Sequence, residues 1–253
     1  VLIRNARVHT LTAQGTLEGA DVLVRGGRVV EVGSGLTAAG AQVIEANGRP
    51  LTPGLFGGIT GLGISEIELE SSTVDRTAVV DSRASGPGFV PRPEFDVTRA
   101  FNPDSAVIGV NRAEGITFAM IAPMASGTLF AGQGAVARLD SSDSPFVAAS
   151  RTQFLDMGPS ATDGVGFSRG AQFMLLEQAT REALPGNPLQ AGDVRLLTPT
   201  GREVFARYLA GGRMAFAVDR AVEIRQVLEF ATRHGVKPVI VGGAQASQVA
   251  PLL

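Results

Sequence analysis

A chain of 253 residues with 44% hydrophobic and 18% charged side chains is long enough for one large domain, or for a medium domain with a small appendage. Its formal net charge of −2 and singly scattered basic residues supply no broad positive field for nucleic acid, and no run approaches the roughly eighteen apolar residues of a membrane span. The absence of cysteine excludes thiol catalysis, disulfides and thiolate metal sites.

Residues 1–52 read as short strands joined by tight turns. Val1-Leu-Ile3, Ala6-Arg-Val8, residues 21–25 and residues 28–32 carry the alternation and β-branched content of half-buried strands, and Gly26-Gly27 sits where a two-residue hairpin turn is needed. Residues 43–46 followed by Asn47-Gly48 give a further strand and turn. The segment predicts a small all-β unit.

The stretch Pro53-Gly-Leu-Phe-Gly-Gly-Ile-Thr-Gly-Leu-Gly63 reads as a buried strand running out into an active-site mouth. From 64 to 100 the chain turns polar and loop-like, broken by Ser82-Arg-Ala-Ser-Gly-Pro-Gly88 and Pro91-Arg-Pro93. Within it Glu66, Glu68 and Glu70 alternate with Ile67 and Leu69, which in a strand sets three carboxylates on one solvated face. Residues 106–113 predict a short helix stopped at Gly115, and 116–122 a parallel strand buried on both faces. Gly132-Gln-Gly134 is too short for a phosphate loop, and no lysine follows it.

Residues 167–184 carry a helical apolar pattern with Ser168 as cap and Pro185-Gly186 as stop. Thr200-x-x-Glu203 has capping-box spacing for a helix through Ala210, ended by Gly211-Gly212. A strand at 214–218, a helix from Ala221 to His234-Gly235 and a strand at 239–241 complete a βαβ pattern. Repeated βα units after a small β unit argue for an α/β barrel.

Gly48-Arg-Pro-Leu-Thr-Pro-Gly-Leu55, with the strand pattern before it, resembles the amidohydrolase superfamily where its β-sandwich leads into the first barrel strand. Asp96-Val-Thr-Arg-Ala-Phe-Asn-Pro-Asp104, Arg112-Ala-Glu-Gly-Ile-Thr-Phe118 and residues 127–137 resemble its imidazolonepropionase-like subgroup. The resemblance implies an α/β fold. Residues 1–52 would be the N-terminal part of a small β-sandwich domain, and 53–253 the first portion of a (β/α)8 TIM barrel. It implies zinc or another divalent metal as the family cofactor, and hydrolysis of C–N bonds in cyclic amides. It also implies where the ligands belong: a His-x-His pair falls on Ile59 and Gly61, an acidic position on Gly57, and later histidines on Ala217 and Gly242. None of these side chains can coordinate a cation, so no metal or cofactor is expected in this chain.

The remaining polar candidates are few. His9 belongs to a strand surface and His234 to a helix C-terminus, where an imidazolium suits the dipole. Asp219, beyond a buried strand, reads as a cap for the next helix with Arg220 pairing nearby. Glu66, Asn111, Asp219, Arg220 and Gln245 are the residues expected to line a pocket at the barrel mouth. The resulting expectation is a degenerate amidohydrolase relative that acts by binding or assembly, as a homo-oligomer or beside an intact paralogue. The alternative is an active hydrolase whose ligands lie beyond Leu253 or on a partner chain, and a small-molecule binder using the mouth is a third reading.

Both ends bear on this. The chain begins at Val1 inside a strand, for which a removed secretion signal is one candidate, favouring a periplasmic or secreted setting over a cytoplasmic one. It stops after a strand in the middle of an α/β pattern, so a longer polypeptide or a companion chain is expected to supply the missing strands.

Overall fold

The structure is a computed structural model that describes residues 1–78, 91–125, 127–158, 168–186 and 195–253. It divides into two compact units, Val1–Phe56 and Gly57–Leu253. The loop at 82–88 and Phe167, the first residue of an expected helix, lie outside the described residues.

The first unit is a five-stranded sheet built on β1 (Leu2–His9), β2 (Thr16–Arg25), β3 (Arg28–Gly33), β4 (Val43–Glu45) and β5 (Pro50–Leu51). Gly26 and Gly27 both take positive φ, 55° and 74°, which lets the tight turn match the twist of the β2–β3 hairpin. The two short strands read at 1–3 and 6–8 are one strand. Asn5 at φ 50° absorbs an irregularity between Ile3 and Ala6, so the ladder to β2 resumes with Ala6 opposite Ala20. Asp21 fixes that kink, because its carboxylate accepts from the Asn5 amide at 3.0 Å and the Leu36 amide at 2.9 Å. β4 and β5 do not follow hairpin fashion. Both run parallel to β1, with Leu2 opposite Val43 and Arg7 opposite Pro50. Ala6, Val8, Ala20, Val22 and Ala46 form the small core.

The second unit centres on a six-stranded sheet. Its strands are β6 (Leu55–Thr60), which begins at the last two residues of the first unit, β7 (Ile116–Ile121), β8 (Phe130–Arg138), β9 (Thr152–Asp156), β10 (Arg213–Val218) and β11 (Lys237–Gly242). Their order is β11-β10-β9-β8-β7-β6. β9, β10 and β11 are parallel, whereas β7 pairs antiparallel with β8 and β8 with β9. β8 is therefore the reversed strand, and β7 runs in the direction of β9, β10 and β11, as the parallel reading of 116–122 expects. Only residues 122–129 separate β7 from β8, too few for the dozen or more that a parallel crossover needs. Phe118 is 37% exposed, which corrects the expectation that β7 is buried on both faces.

Helix α1 (Ala106–Ala113) precedes β7, α2 (Arg169–Ala183) and α3 (Pro199–Leu209) lie between β9 and β10, and α4 (Ala221–His234) joins β10 to β11. Along β10 the alternation of a strand divides the layers. Met214, Phe216 and Val218 enter a core with Leu176, Phe205, Ile224, Val227 and Phe230 from the helices, while Ala215 joins Ala122, Ala131 and Phe154 on the other face. Among the described strands β6 is the outermost and pairs with β7. Its Leu55, Phe56 and Ile59 are about half exposed, which corrects the reading of a buried strand.

Two helix starts differ from their sequence expectation. α3 is capped by Thr198, whose hydroxyl accepts from the Gly201 amide at 2.9 Å, with Pro199 at the first helical position; Thr200 and Glu203 form no capping box. α4 is capped around Arg220, whose amide donates to Glu223 Oε2 at 3.3 Å while its Nε donates to Oε1 at 2.7 Å. His234 ends this helix at the left-handed Gly235, as expected, with its ring against Phe230.

Candidate functional site

In a sheet of this kind the C-terminal ends of the parallel strands carry the chemistry, because loops of free composition meet there on a rigid frame. β9, β10 and β11 end side by side: Asp156 and Val241 both pair with Ala217, and Gly242 pairs with Val218. Asp219 follows β10 and turns its groups toward the chain beyond β11. Its backbone oxygen accepts from the Gln245 amide at 2.8 Å and its Oδ1 from the Ala244 amide at 3.3 Å. Gln245 returns the contact, its Oε1 accepting from the Ala221 amide at the start of α4 at 3.0 Å. Arg220 is drawn to Glu223, a carboxylate only 4% exposed that also faces Arg169 at 2.7 Å. Three of the five expected pocket residues, Asp219, Arg220 and Gln245, therefore lie in one region, where Asp219 and Gln245 bind neighbouring backbone and Arg220 binds Glu223. Asp219 is not the helix cap, because Gln245 and Glu223 already occupy the amides there.

Glu66 lies after β6, where its carboxylate accepts from Asn102 Nδ2 at 3.2 Å and Ser105 Oγ at 2.7 Å, tying this segment to the start of α1. No strand forms through Glu66, Glu68 and Glu70. The chain turns instead, Glu70 capping a short 3-10 turn at Ser71–Thr73 and Glu68 binding Ser65 Oγ at 3.0 Å. Asn111 stands apart from the mouth. It sits on α1, donating to the Val107 carbonyl at 2.8 Å, and that helix feeds through Gly115 into the N-terminal end of β7.

What fills the space at the glycines is the most telling geometry. A Cβ on Gly61 would stand 2.6 Å from Arg76 Cδ, so the arginine stem lies where a side chain at 61 would begin. Its guanidinium reaches Glu68 Oε2 at 2.6 Å, and its Nε is buried with no acceptor. A Cβ on Gly242 would stand 2.7 Å from Asp219 Oδ1, on a backbone at φ +85° that L side chains rarely adopt. A Cβ on Gly57 would meet Ile116 Cγ2 at 2.7 Å. Each gap has been closed from elsewhere in the fold.

Over its full length this chain matches 67% of an amidohydrolase from Thermotoga maritima, with a TM-score of 0.79 and 22% identity. The two share a fold. A triazine hydrolase from Arthobacter aurescens, modified for maximum expression in E. coli, aligns over 94% of this chain and 52% of its own at 17% identity, but its TM-score of 0.29 carries no structural weight. No protein-family model matches the sequence, and no curated protein does.

The residues present do not fit the divalent metal that the sequence resemblance implies. Ile59, Gly61, Ala217 and Gly242 offer no donor atoms, and the position in front of Gly61 is held by a cationic side chain, which repels a second cation. Among the described residues no three histidine, cysteine or acidic side chains stand close enough to hold an ion. What the rim does offer is a fixed guanidinium, Arg76, and the carboxylate of Asp156, whose Oδ1 accepts from the Gly158 amide at 2.7 Å. The sequence reading missed both. Asp156 had a signal, an acid closing a short apolar run; Arg76 had none, because only the folded chain brings it to Gly61.

Proposed function

We propose that this chain is an imidazolonepropionase-like amidohydrolase relative that no longer hydrolyses, and that it acts by binding or assembly. On this reading the open six-stranded sheet is the first portion of a (β/α)8 barrel and the five-stranded unit is part of a β-sandwich. The shared fold supports the superfamily. The replacement of hydrolysis by binding is supported by one observation above the rest: Arg76 occupies the space in front of Gly61. A guanidinium placed there does two things. It disfavours a divalent ion by charge, and it offers planar donors to the carboxylate or carbonyl oxygen of a ligand. The partner chain on this reading is either an intact paralogue or a second copy.

The test is a hydrolysis screen over cyclic amides, run with added zinc and again with a chelator, alongside ligand-induced thermal shifts on the same compounds. The expected result is no turnover in either condition, with stabilisation by carboxylate-bearing members that Arg76→Ala removes. Zinc-dependent turnover that the chelator abolishes would overturn the proposal.

A further inference from the structure

At the other end of the parallel strands, where β9, β10 and β11 begin, the second unit carries an open cavity of about 670 Å3. That volume suits a small molecule better than a bare ion. One wall is a single face of α3, where Thr200, Val204, Arg207 and Tyr208 recur at helical spacing.

The lining is strongly cationic. Arg99, Arg151, Arg207, Arg213 and Lys237 face it, against the carboxylates of Glu94 and Asp96. Asp96 is engaged, and Glu94 is engaged through Oε1 while its Oε2 is buried with no hydrogen-bond partner among the described residues. Asp96 Oδ1 lies 2.6 Å from Arg151 Nη1, while Glu94 Oε1 accepts from Thr198 Oγ1 at 2.7 Å and lies 3.3 Å from Arg92 Nη1. Burial raises the pKa of Asp96, but the Arg151 guanidinium and the Thr98 donors outweigh it and hold the carboxyl below its ordinary range, so it stays an anion committed to Arg151. Arg99, Arg207, Arg213 and Lys237 are left without a carboxylate partner among the described residues.

Arg213 and Lys237 are register partners on adjacent strands, so two like charges start β10 and β11 on the same side of the sheet. The frame beneath them is rigid. Tyr208 Oη donates to Gln133 Oε1 at 3.0 Å, and Gln133 in turn donates from Nε2 to the Glu94 carbonyl at 3.2 Å and from its amide to the Phe95 carbonyl at 2.6 Å. Burial pushes the Tyr208 phenol up to about 12, so it remains a donor across the physiological range.

We propose that this cavity binds a small multivalent anion, a phosphate ester or a polycarboxylate, with the anionic group held by Arg207, Arg213 and Lys237. The site is separate from the C-terminal rim and does not depend on the reading of that rim. Five cations against two carboxylates, on a pre-set frame, leave the excess positive charge that recognition of such a group needs.

The experiment is calorimetric titration of the full chain with inorganic pyrophosphate and, separately, with citrate, at ionic strength held constant with potassium chloride. Saturable binding of at least one is expected, and Arg213→Gln and Lys237→Gln should each weaken it roughly tenfold, the loss of one charge-assisted contact. Arg28→Gln, at the exposed hairpin of the first unit, should leave it unchanged. Tighter pyrophosphate binding marks a phosphate ligand, and tighter citrate binding a carboxylate one. Without anion, the Lys237→Gln variant should melt no lower than the parent, because a like-charge pair has been relieved; this separates loss of the site from loss of the fold. Binding of neither anion, or equal binding by parent and both variants, would overturn the proposal.

Discussion

The two ends of the parallel strands in the second unit differ in what they do with charge. At the C-terminal end, Asp219, Gln245, Arg220 and Glu223 spend their polar atoms on neighbouring backbone and on each other, and Arg76 lies over Gly61. At the N-terminal end, four cations face a cavity without carboxylate partners among the described residues. The end where barrel enzymes keep their chemistry uses most of its polar atoms internally, while the end usually given over to stability carries an excess of cations. On the two proposals above, a shared fold does not fix where a protein's binding capacity sits.

Both ends rest on one core, so the largest effect should come from beneath them. Phe216→Ala, at a fully buried β10 position packed against Phe230, should cost about 3–5 kcal/mol in chemical denaturation. A much smaller loss would mean the two ends do not share a cooperative core. Gly242→Ala comes next. It forces an L side chain to φ +85° and into Asp219 Oδ1, and should lower stability by about 2 kcal/mol; a neutral result would show that the C-terminal end is less closed than its geometry indicates.

Gly61→Ala sharpens the comparison further. Alone it should cost about 1 kcal/mol, because the new methyl overlaps the Arg76 stem, and in an Arg76→Ala background the cost should vanish. Additive costs in the double-mutant cycle would remove Arg76 from the site. The smallest effect belongs to pH. Asp96 has a folded pKa below its ordinary 3.8, so the stability it contributes is complete above that value and is lost as pH falls through the folded pKa. Asp96→Asn should therefore flatten the acid limb of the stability profile below pH 4 and leave the neutral region level, apart from the uniform loss of its pairing with Arg151. An unchanged acid limb would contradict the ion pair.

The sequence made the β10–α4–β11 run legible because its apolar residues keep strand and helix periods over long stretches, and Gly235 marks the stop. β9 was not legible. Two of its five residues, Thr152 and Gln153, are polar yet fully buried, and the Gln153 Nε2 donates to the Gly132 carbonyl of the adjoining strand at 3.0 Å. Local pattern cannot register a partner that far along the chain. The reversal of β8 was not legible for a related reason: no local pattern marks it, and the short return from β7 decides it. At the site, the residues without donors were readable one by one, but Arg76 over Gly61 and the cations gathered from α3, β10 and β11 exist only once the chain is folded.

Metal content tests the closed C-terminal end most directly. The purified chain is incubated with excess zinc, desalted by gel filtration and measured by plasma mass spectrometry. Zinc at background level, unchanged by chelator treatment beforehand, is expected. Stoichiometric zinc retained by the chain, and lost on substitution of Asp156 or Asp219 beside Ala217 and Gly242, would contradict it.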